Sequence, residues 1–173
     1  YSQVRMFRTG NPPSVPSLTA PTNNALQSTN TPLLNWNDVT VPAGTTFRGY
    51  NVQVTPDGTF VSVLLDANVG GLVTDSQYTT LPLPYGAKYY WRVRSCNTGP
   101  DGIGYNADDQ CSAWPTARYF RIAYAAPVLT LPLDGATGVS RKPTFTWDAI
   151  TGATSYNLQV STSATFTGLL AIN

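Results

Sequence analysis

The chain has 173 residues, a formal net charge of +1, 42% hydrophobic and only 11% charged residues. Near-neutral charge provides no basic field for nucleic acid, and the apolar content is enough for a core, which excludes a disordered chain. All nine acids are Asp, histidine is absent and lysine occurs twice, so a helical bundle, a histidine-ligated metal and a histidine-dependent triad are disfavoured.

In chain order, the opening stretch Tyr1 to Thr9 alternates like a strand. Residues 10–15 carry two consecutive prolines, Pro12 and Pro13, and read as a linker. Leu18–Ala20, set between prolines, reads as a short edge strand, and Leu33–Trp36 as a second. Arg48–Thr55 alternates, with Tyr50, Val52 and Val54 on one face and Asn51, Gln53 and Thr55 on the other. Thr55-Pro56-Asp57-Gly58 is a turn in which Pro sets φ and Gly permits a positive φ. Strands are then expected over 61–65, 76–81, 88–96 and 116–122. In the penultimate one Tyr89, Trp91 and Val93 face inward and Tyr90, Arg92 and Arg94 outward. Short strands separated by turn signals describe an all-β, two-sheet sandwich.

The chain also repeats itself. Val15 to Val39 overlays Ala126 to Ile150 at an offset of 111, matching Pro16 with Pro127, Leu18 with Leu129 and Trp36 with Trp147. After a shortening of five residues, Tyr50-Asn51-Val52-Gln53-Val54 lies over Tyr156-Asn157-Leu158-Gln159-Val160. Arg5-Met6-Phe7-Arg8 likewise matches Arg118-Tyr119-Phe120-Arg121. The expected organisation is therefore the last strand of one repeat (1–9), a linker (10–15), a whole repeat (16–122), a linker (123–126) and the first part of a further repeat (127–173). Lending residues 1–9 to a neighbouring copy cannot complete the last repeat, because a stretch equivalent to 68–113 would still be missing. The expectation is a window from a longer array.

The repeat resembles the fibronectin type III family. The resemblance is carried by the tryptophans Trp36 and Trp147, by the Tyr-x-Val-x-Val run at Tyr50, and by the corner Leu83-Pro84-Tyr85-Gly86-Ala87-Lys88-Tyr89. Gly152-Ala153-Thr154-Ser155-Tyr156 is similar to the variant found in secreted bacterial multidomain proteins. The resemblance implies an immunoglobulin-like β-sandwich in tandem copies, with Trp36, Tyr50, Tyr89, Trp91, Trp147 and Tyr156 as core signature. It also implies that the tyrosine at the corner caps backbone with its hydroxyl. It implies little about function, since this fold hosts many roles.

Cys96 and Cys111 bracket residues 97–110, a connection longer than hairpin loops usually are. Antiparallel neighbouring strands bring the two within bridging distance, so a disulfide is expected; two buried thiols are the alternative. The loop is a candidate binding surface through Asp101, Tyr105, Asp108 and Asp109. Calcium on Asp101, Asp108 and Asp109 is a weaker alternative, the spacing not being that of an EF-hand. Tyr90, Tyr105, Trp114 and Tyr119 are candidates for a sugar platform, and Arg92, Arg94, Arg118 and Arg121 for a small basic stripe. The remaining Asp residues sit at turns, and no nucleophile or phosphate motif is present. No catalytic residue, cofactor or membrane span is expected.

The expected function is structural or adhesive: part of an extracellular fibre, stalk or adhesin whose partners are adjacent repeats, copies of itself, glycans or surface proteins, and not nucleic acid. The competing expectation is a spacer or carbohydrate-binding accessory repeat of a large secreted hydrolase.

Overall fold

Proline and strand alternation together dictate where the ladders start and stop. The computed structural model describes residues 3, 10–99, 102–104 and 107–168. The expected strand at 1–9 lies outside them, as do Asp101 and Tyr105. Among the described residues there are eleven strands and no helix, so none is long and apolar enough to cross a membrane. The chain divides into two compact units, 1–123 and 124–173.

In the first unit, β1 (Leu18–Ala20), β3 (Leu33–Trp36) and β6 (Gln77–Thr79) form a three-stranded sheet in the order β1-β3-β6. A second sheet runs β2 (Ala25–Gln27), β9 (Arg118–Ile122), β7 (Lys88–Asn97), β4 (Phe47–Thr55), β5 (Leu65–Val69), with β8 (Gln110–Cys111) also on β7. Every pairing in the unit is antiparallel except β2 with β9. That strand was not expected. Pro21 ends the first ladder because it has no N–H to donate. Asn24 turns the chain at a φ of 65°, and Ala25 then pairs with Phe120 of the other sheet. The N-terminal segment thus contributes to both sheets.

The inward faces of the two sheets build one core. Leu18, Leu34 and Trp36 come from the first; Tyr50, Val52, Val54, Tyr89, Trp91, Val93, Phe120 and Ile122 from the second. Each such side chain contributes about 1.5–3 kcal/mol by leaving water. Strand β7 alternates as its sequence demands, with Tyr89, Trp91 and Val93 buried and Tyr90, Arg92 and Arg94 half-buried on the outer face. The Tyr89 hydroxyl donates to the Pro84 carbonyl at 3.1 Å, closing the corner before β7, and burial pushes its pKa up. The architecture is sandwich-like and all-β.

One expectation needs correcting. The fourth strand is Leu65–Val69, not 61–65, and Val61 is 89% exposed. The turn at Pro56-Asp57-Gly58 opens a longer connection, in which Asp57 accepts from the Thr59 N–H and the Thr55 hydroxyl and Phe60 takes a φ of 57°. Pairing resumes only where Leu65 meets Val54. Residues 11–14, within the expected linker, are tied to the first unit. Asn11 N–H donates to Gln110 and its carbonyl accepts from Asn97. Ser14 exchanges hydrogen bonds with Thr40 and accepts from the Ser95 hydroxyl.

The second unit has β10 (Leu129–Leu131) paired with β11 (Thr146–Trp147). Leu129 opposes Trp147 and Leu131 opposes Thr146, the same slipped register as Leu18 with Trp36 and Ala20 with Asn35. Asp148 N–H donates to Val128 O at 2.9 Å, as Asn37 N–H does to Ser17 O at 2.9 Å. Phe166 has a φ of 56°, beside 57° for Phe60. The peptide bonds Ala20-Pro21 and Leu131-Pro132 are both cis. Residues 156–160, which match β4 in sequence, form no strand ladder. In the first unit that segment is held between β5 and β7, and the 173 residues contain no second counterpart of β7.

Candidate functional site

The outer face of the larger sheet is where polar side chains gather, because strand alternation sends every second residue there. Three adjacent strands each contribute a pair two residues apart: Asp66 and Asn68 on β5, Asn51 and Gln53 on β4, Arg92 and Arg94 on β7. Register puts them in two rows across the sheet, Asp66–Gln53–Arg92 and Asn68–Asn51–Arg94. Hydrogen bonds run along the rows and, from Asn51 to Asp66, between them. Gln53 donates to Asp66 at 2.9 Å and accepts from Arg92 Nε and Nη2 at 3.0 and 2.8 Å. Asn51 donates to Asp66 at 2.5 Å and accepts from Arg94 Nε at 3.3 Å.

The two arginines are also stacked on aromatic rings. The Arg92 guanidinium lies 3.9 Å from the Phe60 ring centroid and 4.2 Å from that of Trp114; Arg94 lies 4.6 Å from Trp114. Alternate residues of a strand stand roughly 6.5–7 Å apart, which leaves room for one ring between them. Burial, and then the neighbouring positive charge, holds the Arg92 pKa below the ordinary arginine value. For Arg94 burial does the same, with Asp66 opposing and Arg48 adding to the shift.

Gly104, Ala107 and Asp109 of the disulfide-bracketed loop lie at one end of this face. Cys96 and Cys111 are bonded and are direct cross-strand partners. Arg48 Nε lies 3.1 Å from Asp109 Oδ2, with both side chains more than nine-tenths enclosed. Arg48 Nη1 also donates to Asn68 Oδ1 at 3.4 Å. Gly104 lies against the aliphatic stem of Arg48, where a Cβ would sit 3.0 Å from two of its carbons. Between loop and sheet lies a groove of about 640 Å³ lined by Arg48, Asn51, Asp66, Asn68, Arg94 and Asp109, with Ala107 and Cys111.

The structure distributes the sequence candidates unevenly. Of the four loop residues, Asp109 reaches the groove, while the Asp108 carboxyl approaches Gly99, and Asp101 and Tyr105 lie outside the described residues. Among the described residues no three metal-ligating side chains form a group. The aromatic candidates are packed: Trp114 against two guanidiniums, and Tyr90 against Tyr119, with ring centroids 5.6 Å apart. Lys88 Nζ stands 4.8 Å from the Tyr90 ring. The basic stripe is broken. Arg118 pairs with the inward-facing Trp91 and donates to Thr19 O on the other sheet, since Arg118 and Arg121 are three apart and face opposite ways.

Asp66 and Asn68 were not recognised as site residues, because displacing their strand to 61–65 removed them from the sheet. The available signal was the third Asx/Gln/Arg pair at two-residue spacing. Arg48 and its link to Asp109 carry no local signal, being far apart in sequence.

No family model matches the chain, and no curated protein matches it. Among solved structures it is similar to an α-L-rhamnosidase of Streptomyces avermitilis complexed with L-rhamnose, at 20% identity and a TM-score of 0.41, over 65% of this chain and 10% of that one. It is also similar to native α-L-rhamnosidase from Aspergillus terreus, at 16% identity and a TM-score of 0.40, over 66% of this chain and 13% of that one. The chain thus spans about a tenth of the length of these proteins.

Proposed function

We propose that this chain is a non-catalytic structural and adhesive stretch of an extracellular tandem array of fibronectin type III-like sandwiches. The observation that carries the reading is the repeated backbone frame: Leu18 on Trp36 and Leu129 on Trp147, with the same slip in register and the same flanking hydrogen bond. Duplicated modules, each with its own core residues, are how chains build length while folding locally. The closed corner at Tyr89 and Pro84 supports the family resemblance. Docking of residues 11–14 onto the first unit supports a stiff entry into the module. Asp57, Asp75 and Asp109 are held in turns or an ion pair, which is structural use of carboxylates. The Cys96–Cys111 bond supports an oxidising, extracellular setting.

The test is the native protein. Intact mass well above 18.6 kDa, with regularly spaced modules by electron microscopy, is the expected result. A native chain of 18.6 kDa overturns the array. A parent carrying a carboxylate-bearing catalytic domain, with these modules as spacers, overturns the structural role.

A further inference from the structure

We propose that the groove on the outer face of the larger sheet is a binding site for a neutral saccharide. This goes beyond the array reading and does not depend on it. The ligand class follows from the lining. Two guanidiniums, Arg48 and Arg94, face two carboxylates, Asp66 and Asp109, and two amides, Asn51 and Asn68. An anion entering the groove meets two carboxylates, and a cation meets two guanidiniums. A hydroxyl both donates and accepts, so a surface that alternates fixed donors and acceptors suits a ring bearing adjacent hydroxyls.

The lining is preorganised before any ligand arrives. Arg94 is fixed by Asn51 through Nε and by Trp114 at its face, and makes no hydrogen bond through its Nη atoms among the described residues. Asn68 holds Arg48 with its carbonyl oxygen, and its amide Nδ2 has no partner among the described residues. Asp66 is oriented by Asn51 and Gln53, one on each oxygen, and each oxygen retains acceptor capacity. Donors on Arg94 and Asn68, at the two ends of one row, thus stand beside the acceptors of Asp66, two residues from Asn68 on β5. The groove is open and its aromatic neighbour is already stacked on arginine, so binding is in the millimolar range, without a ring platform.

The test titrates the isotope-labelled 173-residue chain by NMR with the methyl glycosides of glucose, galactose, mannose and N-acetylglucosamine. Sodium sulfate and calcium chloride serve as the charged arms. At least one glycoside is expected to give saturable shifts at the Asn68 side-chain amide, the Arg94 guanidinium and the Asp66 backbone. Asn68→Ala and Asp66→Asn should each weaken it about tenfold, the loss of one hydrogen bond to a charged or fixed polar group. Both residues are exposed, so the melting temperature should hold, and Val61→Ser, away from the groove, should bind as the parent does. No saturable response to any of the four glycosides overturns the proposal. So does saturation by sulfate or calcium alone, or undiminished binding by both variants. The titration reads the groove, whereas native mass reads the array, so either can fail without the other.

Discussion

The two units carry the same core frame in different surroundings. Leu18 is 7% exposed and its counterpart Leu129 is 74%; Tyr50 is fully buried and Tyr156 is 40% exposed. Yet the local geometry is shared. Trp36 meets Tyr50 edge-on at 5.1 Å, and Trp147 meets Tyr156 at 5.4 Å. The hydroxyls are anchored differently: Tyr50 donates to Val73 O at 2.6 Å, whereas Tyr156 accepts from the Ile150 N–H at 2.7 Å. Turn chemistry and one strand pair are therefore enough to set the frame. Burial requires β6, β7 and β9, the strands that cover it in the first unit.

The largest expected effect separates the units directly. Trp36→Ala should cost about 3–5 kcal/mol and remove much of a typical domain's stability, because it empties a fully packed core position. Trp147→Ala should cost about 1 kcal/mol or less. Denaturant unfolding of both variants checks this, and equal costs would break the comparison. Next is the disulfide, which has no counterpart in the second unit. A closed loop with a sequence separation of 15 is worth about 3 kcal/mol in the chain-entropy view. Unfolding with and without reductant should show that loss in the first unit only.

Smaller effects sharpen the contrast. Trp114→Ala removes the ring shared by Arg92 and Arg94 and should cost about 1–2 kcal/mol, read as a lower melting temperature. Tyr50→Phe loses the 2.6 Å bond to Val73 O and should cost about 1 kcal/mol at neutral pH. It should also flatten the alkaline limb. Burial, and then the charge of Asp38, pushes the Tyr50 pKa up to about 12. The folded state thus prefers the neutral phenol. That preference is fully present below the ordinary tyrosine value near 10 and is lost as pH rises through about 12. Melting temperature measured across this interval should fall steeply in the parent and less in the variant.

Much of the site was legible where it rested on period-two alternation, and illegible where it rested on loop length or long-range contact. Arg92 and Arg94 face outward as their positions demand. Asp66 and Asn68 were lost because the connection after Thr55 is longer than its turn signal suggests. The local pattern Pro-Asp-Gly starts a turn but does not say where pairing resumes. The parallel β2 was invisible for the same reason, since a three-residue strand has no periodicity to detect.

By itself the amino-acid order determined the all-strand character, the inward and outward faces and the duplicated frame, because these depend on spacing within a few residues. Only the tertiary structure decided that the N-terminal segment serves both sheets, that Asp109 closes on Arg48, and that three polar pairs align into rows. Those outcomes depend on which strands become neighbours, and that is settled by burial of the shared core, which no local pattern encodes.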